Sequence, residues 1–220
     1  MPSSLYHKLL NTPDVKLLLH QVEDALEAEA KQREEFYDWL SPDVKAEFIN
    51  GEIIMHSPAK RKHSNSTEYL FMLLHTWVNA SHSGEVHMEK ALVALTRNDY
   101  EPDISFWGNK KAESFTQDTM RYPAPDLVVE VLSKSTESRD RGIKFQDYAS
   151  HYVQEYWIID TDLQIVEKYI LNTEFMEFRE AARLTVEDGL ESHVLPEFQI
   201  PVRAIFEKSA YLETLRNLLQ

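Results

Sequence analysis

The sequence predicts a mixed α/β (α+β) fold, in which a central mixed β-sheet is flanked by helices and preceded by a helix and a hairpin. Between about His63 and Asn79, apolar residues recur at the spacing of one helix face. Three later runs are rich in Val, Ile, Leu and aromatic residues, which favour strands. A second helical stretch then leads to the apolar run Tyr156-Trp157-Ile158-Ile159. Helices and strands in this order predict a sheet covered by helices.

The N-terminal part of the chain predicts one helix and one hairpin. Residues 17–39 are acidic and loosely helical in period, and the chain-breaking Ser41-Pro42-Asp43 is expected to end the helix. The apolar residues of this helix are Leu18, Val22, Leu26, Phe36 and Leu40. Asn50-Gly51 follows, flanked by Glu47-Phe48-Ile49 and Glu52-Ile53-Ile54, and Asn-Gly is a strong signal for a tight hairpin turn.

The rest of the chain predicts alternating helices and strands. In the helix from about His63, Leu70, Leu73, Leu74 and Trp77 lie on one face, with His63 on nearly the same side. Further strands are expected at Glu85–Leu95, Asp103–Trp107, Asp126–Leu132, residues 156–159 and Ile165–Leu171. Further helices are expected at Ser138–His151, with Ser135 or Thr136 as N-cap, and at Ala204–Leu219. Trp157, Trp107 and Phe106 are expected in the core.

Length and composition are those of an ordinary globular domain. We expect one domain, comprising an N-terminal helical extension (1–44), a core (45–206) and a C-terminal helix (207–220). The chain has no cysteine, which excludes disulfides and thiolate metal sites and predicts a cytoplasmic protein. No stretch reaches the roughly 18 apolar residues of a membrane span, so no membrane partner is expected.

The charge is acidic overall and basic in two places. With 37 acidic and 23 basic residues, the formal net charge of −14 argues against charge-driven binding to a polyanion. However, Lys60-Arg61-Lys62 is contiguous, and Lys134, Arg139, Arg141 and Lys144 outnumber the acids of residues 134–144. Each basic patch is explained either as a solvated surface, which is the commoner case, or as a phosphate contact.

Two Pro-Asp pairs, at Asp103 and Asp126, each open a predicted strand. Period-two alternation places Asp126 and Glu130 on one face of the second strand, but their separation of roughly 13 Å is too large for one shared ion. A carboxylate in an apolar run needs a partner or a metal. If the two strands are antiparallel neighbours, Glu130 lies near Asp103 and Asp126 lies near Trp107. This register is an assumption at the level of sequence.

In that register, Asp103 and Glu130 are suited to hold Mg²⁺ (or Mn²⁺), which prefers oxygen ligands. Lys144, on the helix that follows, is the candidate cation for charge that develops in a transition state. Arg141 and Tyr148 lie three residues before and four residues after it, so all three are expected on one helix face. The alternative is that this face is simply solvated.

Several motifs together resemble the Uma-two family of endonucleases, within the PD-(D/E)XK superfamily. The main one runs Ala124-Pro125-Asp126-Leu127-Val128-Val129-Glu130-Val131-Leu132-Ser133, then Ser135-Thr136, Arg139-Asp140, Lys144, Tyr148 and Glu155-Tyr156-Trp157-Ile158-Ile159-Asp160. The others are Glu47-Phe48-Ile49-Asn50-Gly51-Glu52-Ile53, His63, Glu101-Pro102-Asp103-Ile104 and Leu195-Pro196-Glu197-Phe198. The resemblance covers about residues 45–206.

The resemblance implies a restriction endonuclease-like fold and metal-dependent hydrolysis of DNA phosphodiester bonds. It assigns Asp103 and Glu130 as metal ligands and Lys144 as the catalytic lysine. The superfamily's usual lysine two residues after the acid is replaced by Leu132, so Lys144 would be a relocated lysine, with Lys134 as its competitor.

Three further residues are weaker candidates for the site, and two alternative functions stay open. Glu47 and Glu52 flank the hairpin turn, where they would add a ligand or orient water unless they are merely solvated. His63 is a candidate base or phosphate contact, or a hydrogen-bonded residue at a helix start. The alternatives to an endonuclease are a catalytically inactive nuclease-fold module with a regulatory or protein-binding role, and an enzyme acting on a small phosphate ester. A homodimer is a further expectation, because a single-site nuclease cuts one strand at a time.

Overall fold

The computed structural model describes residues 4–41 and 43–219, so Pro42, expected to end the first long helix, lies outside the described residues. The helices are α1 (Ser4–Leu10), α2 (Val15–Trp39), α3 (Arg61–Ser81), α4 (Asn109–Ala112), α5 (Glu137–Asp140), α6 (Ile143–Ser150), α7 (Arg203–Phe206) and α8 (Lys208–Leu218). The strands are β1 (Ala46–Ile49), β2 (Glu52–Met55), β3 (Gly84–Met88), β4 (Leu92–Ala94), β5 (Asp99–Tyr100), β6 (Ile104–Gly108), β7 (Arg121–Tyr122), β8 (Leu127–Val131), β9 (Glu155–Asp160), β10 (Ile165–Asn172), β11 (Glu177–Leu184), β12 (Gly189–Glu191) and β13 (Gln199–Pro201).

A six-stranded mixed sheet forms the centre of the molecule, which confirms the predicted fold class. Its order is β11-β10-β9-β8-β6-β3, and only the β8–β9 pair is parallel. Leu127, Val129 and Val131 face α3, α7 and α8, and they share a core with Trp157 and Phe106. Val128 faces the other side, where it packs with Tyr148 of α6 and with Trp107. Glu130 follows the same alternation, so it points toward the α6 side.

A second sheet, absent from the sequence prediction, packs beside the first. Its order is β2-β1-β5-β4-β7. The single strand predicted over Glu85–Leu95 is wrong, because β3 ends at Met88 and β4 begins at Leu92 in the other sheet. Glu89 and Lys90 both have positive φ, at 50° and 47°, and two successive left-handed residues cannot continue a strand.

The hairpin predicted at Asn50-Gly51 is confirmed. The two residues have φ of 51° and 85°, which glycine and asparagine tolerate best. The flanking strands pair in antiparallel register, with Ile49 opposite Glu52 and Ala46 opposite Met55. This register leaves β1 fully buried and β2 largely exposed.

Two predicted helices are each interrupted. The stretch Ser138–His151 divides into α5 and α6 at Gly142, whose φ of −112° and ψ of −102° are not helical. At this position a Cβ would lie 2.6 Å from Ser138 O, so glycine relieves a clash in the tight connection. The stretch Ala204–Leu219 is interrupted at Glu207, which is extended with φ −112° and ψ 120°.

The long helix α2 is attached to the rest of the protein mainly by its C-terminal half. The Arg33 guanidinium donates to both carboxylate oxygens of Asp99, at 2.6 and 2.7 Å. In the N-terminal half, every residue from 21 to 28 is exposed. The helix itself is confirmed, but of its predicted apolar residues Val22 and Leu26 remain 54% and 43% exposed. No helix in the described part of the chain is long and apolar enough to cross a membrane.

Candidate active site

The two carboxylates proposed as metal ligands lie side by side at one end of the central sheet. β6 and β8 are antiparallel, with Ile104 opposite Val129 and Phe106 opposite Leu127. Continuing this register by one residue places Asp103 beside Glu130. The antiparallel register assumed from the sequence is therefore confirmed.

Asp103 is held in a network of donors. Its Oδ2 accepts a 2.8 Å hydrogen bond from the Val131 amide and lies 3.3 Å from His63 Nε2. Lys45 Nζ lies 3.4 Å from its Oδ1. Burial works to raise the pKa of Asp103, but the His63 hydrogen bond and the Lys45 charge outweigh it and lower that pKa to about 2. Asp103 is therefore an anion at neutral pH.

Glu130 contacts the α6 side chains at its Oε1 atom. Lys144 Nζ donates to it at 3.0 Å and Tyr148 Oη at 3.2 Å. Lys144 and Tyr148 lie four residues apart on α6, so both reach the same point on β8. Burial raises the pKa of Glu130 well above its usual 4.5, against the opposing charge of Lys144.

The Lys144 ammonium lies among three carboxylates. Besides Glu130, it contacts Glu47 Oε1 at 2.7 Å and Asp140 Oδ1 at 3.4 Å. Burial works to lower the pKa of Lys144, but the Glu130 and Glu47 charges outweigh it and raise that pKa well above 10.5. Lys144 is 1% exposed, so its ammonium is a buried positive charge.

Negative charge exceeds positive charge in this cluster. The acids of the cluster are Glu47, Asp103, Glu130 and Asp140, whereas its lysines are Lys144 and Lys45. Burial raises the pKa of Asp140 as well as that of Glu130, and the charges of Glu47 and Asp103 raise both further against the opposing charge of Lys144. Adjacent carboxylates with an unbalanced negative charge fit a hard divalent cation. Among the described residues no group of three or more His, Asp and Glu side chains is arranged to hold a metal, so Asp103 and Glu130 would share an ion with water.

Asp103 and Glu130 line a cleft of ≈ 520 Å³. His63 and Lys45 line it beside Asp103. Four basic residues also line the cleft and are here called the basic rim, namely the exposed Lys60, Lys62 and Lys134 and the half-buried Arg139. The cleft therefore joins buried acids to an exposed basic surface.

Some residues predicted for the site lie elsewhere. Glu52 is exposed on β2. Asp126 lies near Trp107, as the assumed register requires, at the end of β8 away from Glu130, where it accepts from Gly108 N at 2.8 Å and pairs with Lys111 at 2.7 Å. The expectation that Arg141 shares a face with Lys144 is wrong. Arg141 precedes α6, because the helix is interrupted at Gly142, and its guanidinium pairs with Glu167 and Glu137. Lys134 is on the rim, without contact to Glu130.

Several residues at or beside the cluster had no predicted role. The contact between Asp140 and Lys144 could have been predicted from the sequence, because the two residues are four apart in a predicted helix. The contact between Lys45 and Asp103 could not have been predicted in this way, because the two residues are 58 apart in the chain. His56 Nε2 lies 3.2 Å from Glu47 Oε2, a contact created by the β1–β2 hairpin.

Comparison with known proteins identifies the family and the fold of this chain. The chain resembles two uncharacterized proteins of Synechocystis sp., with 30% identity to slr1290 over 68% of this chain and 73% of that protein, and 32% identity to sll1609 over 64% and 78%. Its fold matches the crystal structure of a protein from Anabaena variabilis described as a "putative nuclease belonging to DUF820". That match has a TM-score of 0.68 and 18% identity, and covers 83% of this chain and 97% of the other. The family described as "Uma2: Putative restriction endonuclease" matches residues 33–203. The chain therefore belongs to the Uma2 family, and its fold is restriction endonuclease-like.

Proposed function

We propose that this protein is a metal-dependent endonuclease that hydrolyses DNA phosphodiester bonds, with Asp103 and Glu130 as metal ligands and Lys144 as the catalytic lysine. The observation that carries the proposal is the pairing of Asp103 with Glu130 at the wall of a cleft, with the Lys144 ammonium 3.0 Å from Glu130. Membership of a nuclease family supports DNA as the substrate.

Each side chain has a chemical task in this proposal. A bound Mg²⁺ or Mn²⁺ would polarise the phosphate and lower the pKa of a bound water. Asp103 presents a carboxylate that stays ionised, because His63 and Lys45 keep its pKa at about 2. Lys144 orients Glu130 and supplies a fixed positive charge beside the reacting phosphate. His63 positions Asp103 from the start of α3.

The test is cleavage of single-stranded, duplex and branched DNA by the purified protein with Mg²⁺ or Mn²⁺. We expect Asp103→Asn and Glu130→Gln to abolish cleavage and to weaken Mn²⁺ binding in calorimetry. Glu52→Gln is the matched control, because Glu52 is exposed outside the cleft. The absence of both cleavage and Glu130-dependent metal binding in a folded protein would refute the proposal.

One observation favours the second candidate, a catalytically inactive module with a regulatory or protein-binding role. The Lys144 ammonium already contacts three carboxylates and is 1% exposed, so it is engaged before any substrate arrives. A folded protein that binds DNA or a protein without cleaving DNA in any metal would identify this module. The expectation of a cytoplasmic location stays a prediction.

We also propose a homodimer, formed by antiparallel pairing of α2 with α2 of a second copy. The exposed Val22 and Leu26 supply an apolar strip on a helix segment in which every residue from 21 to 28 is exposed. Pairing centred on Val22 would bring Leu18 to Leu26 of the partner helix, which makes the surface self-complementary. Light scattering after gel filtration is expected to show a dimer that Val22→Asp converts to a monomer. Leu219→Asp, which changes an exposed leucine on the C-terminal side, should leave the dimer intact. A wild-type monomer at high concentration would contradict this assembly.

A further inference from the structure

Three cations of the basic rim form no ion pair with any residue that the structure describes. Lys60, Lys134 and Arg139 take part in none of the ion pairs between described residues, although the chain has a formal net charge of −14. Arg139 Nε is also buried and meets no hydrogen-bond acceptor in the described part of the chain. A buried donor without an acceptor is costly, so its presence at a cleft indicates an anionic ligand.

The fourth cation of the rim, Lys62, is paired with a carboxylate across the mouth of the cleft. Its Nζ contacts Asp162, in the turn between β9 and β10, and both residues line the cleft. Asp162 also lies within the electrostatic reach of Lys60 and Lys134, which together with Lys62 lower its pKa. The Asp162 carboxylate therefore lies close to the three lysines of the basic rim. The ion pair is open to solvent, with side chains 41% and 73% exposed, and is therefore weak enough to be displaced.

The basic rim is continuous with the candidate active site. Lys62 and His63 are consecutive at the start of α3, and His63 contacts Asp103 at 3.3 Å. A strand held at Lys62 would therefore enter the cleft that His63 and Asp103 also line. The α3 N-terminus adds to the positive potential here, because its N-cap residue Lys60 makes no side-chain capping hydrogen bond.

We propose that Lys60, Lys62, Lys134 and Arg139 form a contact site for the phosphodiester backbone of a nucleic-acid strand, and that Asp162 occupies Lys62 until the strand displaces it. This inference rests on the proposed nuclease function, since it defines how the substrate strand reaches Asp103 and Glu130. The net charge of −14 argues against charge-driven binding to a polyanion, but at this site the strand would meet a local basic surface.

The test is strand binding in the absence of divalent cations, with Glu130→Gln present throughout so that no cleavage occurs. Fluorescence anisotropy of a labelled single-stranded oligonucleotide and of its duplex is measured over a range of salt concentrations. Lys62→Gln and Lys134→Gln should each reduce the slope of log K against log salt by about 0.7 for the single strand and about 0.9 for the duplex. At about 0.1 M salt this corresponds to roughly fivefold weaker binding of the single strand.

Asp162→Asn should have the opposite effect and tighten binding about 1.5- to 5-fold, because it releases Lys62 from an exposed ion pair. This gain should vanish in the Lys62→Gln background, since the two side chains act through one contact. Lys110→Gln and Asp118→Asn make the same charge changes on exposed residues outside the cleft, and should have little effect. Thermal unfolding of each variant checks that it is folded.

The results separate this contact site from the nuclease function. If the controls shift binding as much as the rim variants, or if Asp162→Asn fails to tighten binding, the contact site is wrong even if wild-type protein cleaves DNA. If the rim variants and Asp162→Asn behave as expected but no metal supports cleavage, the contact site stands and the hydrolytic function falls. A protein that binds neither single-stranded nor duplex DNA at low salt overturns the contact site.

Discussion

Replacing Lys144 by methionine is expected to destabilise the protein strongly, and more at about pH 8 than at about pH 5. The side chain is 1% exposed, and its ammonium lies 2.7 Å from Glu47, 3.0 Å from Glu130 and 3.4 Å from Asp140. Removing one partner of a buried ion pair costs about 3–5 kcal/mol, because the other charge stays buried without compensation. For a domain of this size that corresponds to a fall in Tm of about 6–20 °C.

The pH dependence follows from the carboxylates left behind. Burial raises the pKa of Glu130 and Asp140 even in the presence of Lys144, and loss of the ammonium would raise both further. A group with a raised folded-state pKa contributes stability that is fully present below its unfolded pKa and is lost as the pH rises through the folded value. The variant should therefore lose stability above about pH 4.5, the ordinary pKa of a glutamate. Wild-type Lys144, with its pKa raised above 10.5, stays charged throughout this range.

Urea unfolding followed by circular dichroism at both pH values measures the effect. The double variant Lys144→Met/Glu130→Gln should recover part of the loss, because it removes the uncompensated charge as well as its partner. Lys110→Met, on an exposed lysine, should change the free energy of unfolding by no more than about 0.5 kcal/mol. A cost below about 1 kcal/mol at the higher pH, or a larger cost at the lower pH, would refute the reasoning.

Three other substitutions test separate parts of the structure. Gly84→Ala should destabilise the protein by about 1–3 kcal/mol or more in urea unfolding. The reason is that Gly84 has φ +152° and a Cβ there would lie 2.0 Å from Trp107 O. Gly189→Ala is the control, because the nearest atom to a Cβ there is 3.5 Å away, and an equal loss of stability in both variants would count against this reason. His63→Gln should cost stability below about pH 6.5 and progressively less as the pH rises through the His63 pKa. Burial works to lower that pKa, but the hydrogen bond to Asp103 outweighs it and raises the pKa. A pH-independent cost would argue against the contact. Arg33→Ala should cost about 3 kcal/mol, because it leaves the buried Asp99 carboxylate without its bidentate partner. Arg97→Ala, which breaks a pair with a half-exposed arginine, should cost no more than about 1 kcal/mol, and equal costs would mean that burial does not decide the difference.

Local patterns in the sequence predicted much of this fold and part of the site. The helix through Leu70 and Leu73, the hairpin at Asn50-Gly51 and the strand that contains Glu130 each follow from periodicity or turn chemistry within a short window. The spacing of Asp126 and Glu130 excluded a shared ion, which left Asp103 as the partner. The observed β6–β8 register agrees with that choice.

What the sequence determined by itself was therefore the identity of the elements, their buried faces and the placement of a carboxylate in an apolar strand. Only the tertiary structure decided which charges meet that carboxylate. Glu47 reaches Lys144 from a second sheet that forms because the chain turns at Glu89 and Lys90, and no local pattern predicts two successive left-handed residues. Arg141 leaves the Lys144 face for a similar reason, since the backbone at Gly142 departs from a helix that its composition favours. Contacts between elements distant in the chain depend on the packing of the whole molecule, which one window of sequence does not contain.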